Sequence, residues 1–396
     1  MRIGQLLIDA AHLGQRVVSA ISVGAKEVWS AVKYIIFEDK VVEQICADNW
    51  GDGVGITEEQ AASVKSLNSK FSGNRDITSF DEFERFENVN VLVYQEFYNC
   101  SKLKSVKIPT SVTTIRQRVF ANDTALELIG DLTNVKEIGS AAFELTTNLR
   151  VPIVAPKVEN ITSAFASSGI TKAEFDGAKS SDVSAFINCA NLTEAILPNL
   201  LTVGSFLLKN TPSLAIVNIR SATTIGDGAF DGATSLRHIE LCRDVVSIGK
   251  NSFDGVPLEV EELELPMLSS IGGAAFVGSN VRRIVSLGNI TQLLHALSQH
   301  GQGGAFSNNH KLEYANLPAT LTAAYSTFYD CPLLSVVISN ALVPPVINEY
   351  TFYGTPIANG GGFVYVPDQS VQAYREASGW SAYADRIRPL SQYVES

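Results

Sequence analysis

An aromatic residue returns about every 22 positions along most of this chain, and a chain with that period folds as a stack of short coils. Phe97, Phe120, Phe143, Phe165, Phe186, Phe230, Phe253, Phe276, Phe306, Phe328 and Phe352 each follow a small residue in most cases and precede a short polar turn. Leu208 fills a twelfth place, in SFLLKNTPSL. The intervals are 23, 23, 22, 21, 22, 22, 23, 23, 30, 22 and 24 residues, so only one departs from the period.

Other positions repeat with the anchor. Five residues before it stands an aliphatic such as Ile115, Ile138, Val203, Ile225, Ile248 or Ile271, often followed by glycine (Gly139, Gly204, Gly226, Gly249, Gly272). Six residues after it comes Leu103, Leu126, Leu149, Leu192, Leu214, Leu236, Leu312 or Leu334. Apolar residues follow that leucine at +3 and +5, as in Val106 and Ile108 or Val217 and Ile219. This alternation predicts a short strand with alternate side chains inward. Pro109, Pro198, Pro266 and Pro318 close several of these runs, since proline cannot donate to a ladder. The aliphatic-glycine step reads as a turn, because glycine tolerates positive φ. No single unit buries its own apolar face, but stacked units bury it continuously. The fold class predicted is an α/β repeat solenoid of about twelve units over 93–358, with short parallel strands on its concave face. Coils about 4.8 Å apart make a curved rod of roughly 55–60 Å.

Composition agrees with a well-buried chain: of 396 residues, 45% are hydrophobic and 18% charged. A net charge of −11 argues against a grip on nucleic-acid backbone or an anionic membrane. No stretch is long and apolar enough to insert in a membrane. Cys100, Cys189 and Cys331 all stand three residues after an anchor, which predicts buried core thiols rather than disulfides. Asp9, His12 and Arg16 break the only N-terminal apolar run, so no secretory signal is read there.

Units such as SVTTIRQRVFANDTALELI, ATTIGDGAFDGATSLRHIEL and DVVSIGKNSFDG resemble the BspA-like leucine-rich repeats, over about 93 to 396. The resemblance implies a right-handed coil and a surface adhesin or interaction protein. The closing segment FVYVPDQSVQAYREASGWSAYADRIRPL, within 359–396, is similar to that family's usual C-terminal cap. Val364–Pro367 reads as a last strand, and Ser370 as the cap of a helix that lays Val371, Tyr374 and Trp380 over the open end. Residues 35–92 read as a helical N-terminal cap similar to those of Bacteroides-type proteins, with helical periodicity through Val41, Ile45, Ala62, Val64 and Leu67. Inside it, Asp48–Glu59 is similar to a calcium loop, but Trp50 and Gly55 occupy places that need an oxygen ligand and an aliphatic, so the loop reads as degenerate. Residues 1–34 read as a β-ribbon with a Gly-Ala-Lys turn, a candidate docking or oligomerisation element. Its VGAKEVW element is similar to one in tail and virion proteins of phages and prophages of gut bacteria, though a plain ribbon packed on the cap explains it equally well.

No nucleophile elbow, phosphate loop or metal-ligand spacing stands out, so neither catalytic nor metal-binding residues are predicted, and no cofactor. Glu261, Glu262 and Glu264 form an acidic run of the kind that is usually a solvated face. The candidate ligand-binding residues are the outward strand positions Lys107, Asn218, Glu240, Glu264, Ser286 and Asn316. The long interval adds His295, Gln299, His300 and Gln302, projecting from a helical turn anchored by Leu293, Leu294 and Leu297. Three readings follow. One is a recognition module for a protein or glycan, carried on a virion as a tail or fibre component. One is a bacterial surface adhesin whose leader is missing. The third is a polysaccharide-acting enzyme, which lacks any signalled carboxylate pair.

Overall fold

The computed structural model describes residues 20–23, 26–30, 32–298 and 301–395, with side-chain detail over 32–296 and 303–395. An antiparallel hairpin, Ala20–Val23 with Lys26–Ser30, precedes the rest. Helices α1 (Lys40–Trp50) and α2 (Glu58–Ser63) follow, and from there the chain winds as a parallel β-solenoid.

Each coil contributes to two ladders rather than one. The first ladder holds the leucine-led strands, such as Lys172–Glu174, Glu194–Ile196 and Ile216–Asn218. Their central residues Ala173, Ala195 and Val217 point inward, as the alternation predicts. The second ladder holds the aliphatic-glycine steps. Strand Thr202–Val203 pairs with Thr224–Ile225, then with Ser247–Ile248 and Ser270–Ile271. The glycines after these aliphatics therefore end a strand, and none of them has positive φ. Glycine is needed there for another reason. A Cβ on Gly226 would lie 2.5 Å from Ser205 N, and one on Gly272 2.3 Å from Lys250 N. These glycines let adjacent coils touch backbone to backbone.

Positive φ falls instead on the third side, around the anchors. Two residues after each of the twelve stands Asn99, Asn122, Leu145, Ser167, Asn188, Asn210, Gly232, Gly255, Gly278, Asn308, Asp330 or Gly354, every one left-handed. Most are Asn, Asp or Gly, the residues that tolerate this region at low cost. Ser69 and Gly73 flank Phe71 in the same way, and the Phe71 ring lies 5.4 Å from that of Phe97. Phe71 is thus a thirteenth anchor, within the stretch that reads as a cap.

The anchors stack through the core. Phe143 and Phe165 are 5.1 Å apart and 2° from parallel, and Phe276 and Phe306 are 5.4 Å apart and 2° from parallel. Beside them runs a buried, mostly polar column, three residues after each anchor, interrupted by Ala233 and Val256. There Cys100 Sγ donates to Phe71 O at 3.0 Å, Cys189 Sγ to Phe165 O at 3.0 Å and Cys331 Sγ to Phe306 O at 3.2 Å. Thr146, Thr211 and Thr355 hydroxyls bond the carbonyl of their own anchor. Satisfying each small polar group on a carbonyl makes the column compatible with burial.

At the N-terminal end, α1 turns Val42, Cys46 and Ala47 inward while Val41 is 39% exposed, so the buried stripe is shifted by one from the periodicity through Val41. Trp50 meets the rings of Phe71 and Phe86 at 6.3 and 6.2 Å. Asp39 starts the helix. Its carboxylate accepts from Val41 N, Val42 N, Thr78 N and Thr78 Oγ1, tying α1 to the first coil. At the other end, strand Phe363–Val366 is not the last: Ile387–Pro389 pairs beyond it. Ser370 does not cap helix α4 (Val371–Glu376) either, because its hydroxyl donates to Leu342 O at 2.9 Å. A short helix α3 (Pro356–Asn359) lies before that strand. Tyr374 OH and Trp380 Nε1 reach Ala341 O and Pro345 O, fixing the closing segment.

Candidate functional site

The outward positions of the first ladder form a charge mosaic. Lys172 Nζ lies 2.8 Å from Glu174 and 3.6 Å from Glu194 on the next coil. The hydrogen bond to Glu174 holds the Lys172 ammonium above the usual lysine range. Further on, Arg282 bridges Glu261 at 3.0 Å and Glu313 at 3.1 Å, and Arg243 pairs with Glu264. Glu262 lies 3.6 Å from Arg283, whose guanidinium sits 4.3 Å over the Tyr314 ring. The acidic run is therefore answered by basic groups from other coils.

The ladder is also discontinuous. It forms one sheet through Leu128–Ile129, a second from Pro152–Val154 to Ile216–Asn218, and a third from Glu259–Glu264 to Ile387–Pro389. Pro152, which has no N–H to donate, starts the strand after the first break. The second break has no such cause, for neither proline nor glycine lies between Leu236 and Val246. There the coil 237–243 forms no strand. The same coil is paired normally elsewhere: Thr224 aligns with Ser247 in the second ladder, and Phe230 N donates to Ser252 O at 2.8 Å behind the core. It is held on two sides and open on the third. A depression of about 560 Å³ lies at the opening, lined by Ala215, Ile216, Val217, His238, Ile239, Glu240, Glu259 and Val260.

The sequence-derived candidates distribute as follows. Asn218 ends the last strand before this break, and Glu240 lies in the open coil itself, in the lining of the depression. Glu264 ends the strand beyond it and is bound to Arg243. Ser286 and Asn316 stand farther along, where Asn316 Nδ2 donates to Val285 O at 3.1 Å and Asn316 Oδ1 accepts from Asn340 Nδ2 at 2.7 Å. Asn316 thus holds neighbouring coils together. Lys107 is remote, exposed in a separate shallow depression with Glu84 and Asp131.

The long interval does not form the predicted helical turn. Ala296–Ser298 pairs antiparallel with Gly301–Gly303, making a hairpin. Leu293 is buried in the second ladder while Leu294 is 40% exposed, so the leucines do not share a helical face. Glycines on either side let the neighbouring coils approach closely: a Cβ on Gly273 would lie 2.7 Å from His295 C, and one on Gly304 2.3 Å from Ser326 O. His295 is exposed and meets Tyr325 edge-on at 6.4 Å. Gln302 belongs to the returning strand, and Gln299 and His300 lie outside the described residues. Ile216, His238, Ile239 and Glu259, which also line the break, are not among the sequence-derived candidates. Ile216 is 51% exposed at an outward strand position, a fact that the alternation of the sequence does not reveal.

In the loop similar to a calcium site, Asp52 is fully engaged: one oxygen accepts from Tyr34 OH at 2.6 Å, the other from Val54 N and Gly55 N. The Tyr34 bond is the main cause holding the Asp52 carboxyl below its usual range. Asp48 accepts from Gln44 Nε2 at 2.7 Å. Among the described residues no three His, Cys, Asp or Glu side chains converge as a metal set. No helix among them is long and apolar enough to cross a membrane.

The family described as BspA type leucine rich repeat region matches in six copies, at residues 67–193, 162–282 and 223–359. Together these span well over half the chain. The chain belongs to the BspA-type leucine-rich-repeat family. Its first matched residue, 67, agrees with Phe71 as an anchor of the BspA-type array. Similar solved structures include a leucine-rich repeat protein from Bacteroides ovatus, with 18% identity and a TM-score of 0.44 over 81% of this chain and 85% of that one. A leucine rich cell surface protein from Faecalibacterium prausnitzii has 19% identity and a TM-score of 0.33, over 67% and 80%. A leucine-rich repeat protein from Eubacterium ventriosum has 15% identity and a TM-score of 0.42, over 69% and 83%. No curated protein matches.

Proposed function

We propose that this BspA-type solenoid is a non-catalytic recognition protein that binds a protein or glycan receptor, as a surface adhesin does. In this reading the coil is right-handed, as parallel crossovers are. The first ladder is its concave face, and the helical N-terminal segment and the closing strand and helix cap the ends. The observation that carries it is the break at 237–243, where an apolar depression opens in an otherwise charge-paired face. Acidic groups of that face are tied to basic ones across coils, an arrangement suited to holding a ligand rather than to acid–base chemistry. The test is binding of the labelled full chain to arrays of glycans and extracellular proteins, beside an Asn218→Lys/Glu240→Lys variant. Loss of the bound signals in the variant supports the reading. Signals that survive it place recognition elsewhere.

A second reading sets the same recognition unit on a larger assembly such as a virion, with residues 1–34 as the docking element. The hairpin of Ala20–Val23 and Lys26–Ser30, separate in sequence from the repeats, favours it. Light scattering on the full chain and on a chain starting at Ile35 decides the matter. An oligomer that becomes monomeric on truncation supports assembly through the hairpin, whereas two monomers of equal thermal stability remove it.

A further inference from the structure

The break in the first ladder leaves main-chain donors free as well as apolar surface. In the coils before it, Thr193 N donates to Thr171 O at 2.9 Å, and Ala215 N and Ile216 N donate to Thr193 O at 3.0 and 3.1 Å. The next coil should repeat this from Arg237 onward. Instead, none of the backbone N–H groups from Arg237 to Arg243 donates to a backbone or side-chain acceptor among the described residues. The coil's one main-chain tie across the gap is Arg237 O, which accepts from Glu259 N at 2.6 Å. Both flanking strands are sheet edges: Ile216–Asn218 has a neighbour only on its N-terminal side, and Glu259–Glu264 only on its C-terminal side. Unpaired edge groups of this kind are a template for pairing with another chain.

The side chains around the opening define what fits. Ile216, Val217, Ile239 and Val260 line it with apolar surface, and Ile216 is half exposed. Glu240 and Glu259 lie in the same lining. Glu240 has no ion pair among the described residues, and Glu259 has only His238 at 3.9 Å, which is a partner only when that imidazole is protonated. The nearby cations are occupied: Arg243 is bound to Glu264, and Arg237 Nη1 donates to Thr234 O. A guest that satisfies the opening supplies carbonyl oxygens in extended geometry, apolar side chains on one side and positive charge on the other.

We infer that the open coil 237–243 captures an extended segment of another protein, in which apolar and basic residues alternate, by β-strand addition. The carbonyls of the segment accept from the free N–H groups of 237–243. Its apolar side chains cover Ile216, Ile239 and Val260, and its lysines or arginines meet Glu240 and Glu259. Alternate side chains of a strand face opposite ways, so a segment of four or five residues meets both demands at once. This rests on the first ladder being the recognition surface, and it names the class of partner for that surface.

Hydrogen exchange read by mass spectrometry on the full chain tests it. The probes are acetylated, amidated pentapeptides of the form Lys-X-Lys-X-Lys, with X as Val, Ile, Leu or Phe, and the same peptides N-methylated at every residue, so that neither edge can approach a neighbouring backbone. In the free protein the amides of 237–243 exchange at least tenfold faster than those of 193–196. With an unmethylated peptide they slow at least tenfold, the methylated peptides leave them unchanged, and Glu240→Lys with Glu259→Lys weakens the slowing by tenfold or more. Three results overturn the inference: slow exchange at 237–243 in the free protein, no slowing with any of the four peptides at millimolar concentration, or equal slowing by the methylated ones. None of these touches the recognition function itself, because receptor arrays report binding of any chemistry at this face.

Discussion

Asn122 and Leu145 occupy the same place on adjacent coils, and both are left-handed, at φ 66° and 60°. Each N–H donates onward to the next coil, Asn122 N to Glu144 O at 2.9 Å and Leu145 N to Ala166 O at 3.0 Å. Among the twelve residues at this place only Leu145 carries a bulky aliphatic side chain. The left-handed region costs such a residue roughly 1–2 kcal/mol, and asparagine much less. Leu145 is 38% exposed, so little burial offsets the strain. Leu145→Asn is therefore expected to stabilise the chain by about 1 kcal/mol in denaturant unfolding. An unchanged or lowered midpoint would show that Leu145 contributes packing the coil needs.

The glycines of the aliphatic-glycine step make an opposite prediction. A Cβ on Gly226 meets only backbone, with Ser205 N at 2.5 Å and Gly204 C at 2.8 Å, so adjacent coils must separate to admit it. Gly53 has φ +82° and nothing within 4 Å of its Cβ position. Gly53→Ala is expected to cost about 1 kcal/mol of conformational strain. Gly226→Ala is expected to cost more, roughly 1–3 kcal/mol from overpacking and further loss from weakened inter-coil hydrogen bonds. Equal thermal shifts for the two variants would refute the close-approach account.

Much of this was legible in the sequence, and what was missed has physical causes. The period, the anchors, the inward strand residues and the thiol column follow from spacing alone, because every coil must bury the same positions. Gly226 and its counterparts look like turn residues in the sequence, since composition does not distinguish a glycine that needs positive φ from one that needs no Cβ. Phe71 is hidden in the sequence because it lies 26 residues before Phe97, in a segment whose helical neighbours mask the period. The leucines of the long interval mimic a helical turn, but Leu293 is held in the second ladder and the residues after it pair as a hairpin. The break at 237–243 was invisible, for LRHIELCR carries the same alternation as strands that do pair.

Two buried carboxyls predict how stability varies with pH. Burial pushes the Glu96 carboxyl up to about 7, against the Ser69 and Val93 N–H groups that favour its ionised form. Burial also holds the Asp123 carboxyl well above its usual range. One of its oxygens accepts from Cys100 N at 2.7 Å and the other has no partner. A group whose pKa is raised by folding contributes fully below its unfolded value and loses that contribution as pH rises through its folded value. For Glu96 the loss runs from about 4.5 to about 7. The melting temperature is expected to fall as pH is raised from 5 to 8, and Glu96→Gln to flatten that fall. Asp123→Asn is expected to remove the share of the pH dependence that comes from this buried, half-satisfied carboxyl, since an amide does not titrate. Asn309 already stands buried at the same place in its own coil. A melting temperature that climbs over this range in the parent and in both variants alike would exclude the two carboxyls as its titrating groups.

The cysteines provide a sharper test of the core. All five are free, and four of them, Cys46, Cys100, Cys189 and Cys331, are buried, while Cys242 is partly exposed in the open coil. Burial pushes the Cys189 and Cys331 thiols up to about 12, and Cys46 and Cys100 are pushed up as well. Thiol reagents act on the thiolate, so these four are shielded twice, by access and by protonation. One equivalent of an aromatic disulfide reagent is expected to react rapidly with the native chain at pH 8, and four more only on unfolding. Mass mapping should place the first label on Cys242, and Cys242→Ser should abolish the fast phase without lowering the melting temperature. Replacing Cys189 by valine, close in size, should leave the fast phase intact but cost roughly 1 kcal/mol, because the Sγ–H bond to Phe165 O is lost and that buried carbonyl gives up its thiol partner. Two or more fast-reacting thiols would mean that the coils open far more readily than a continuously stacked core allows.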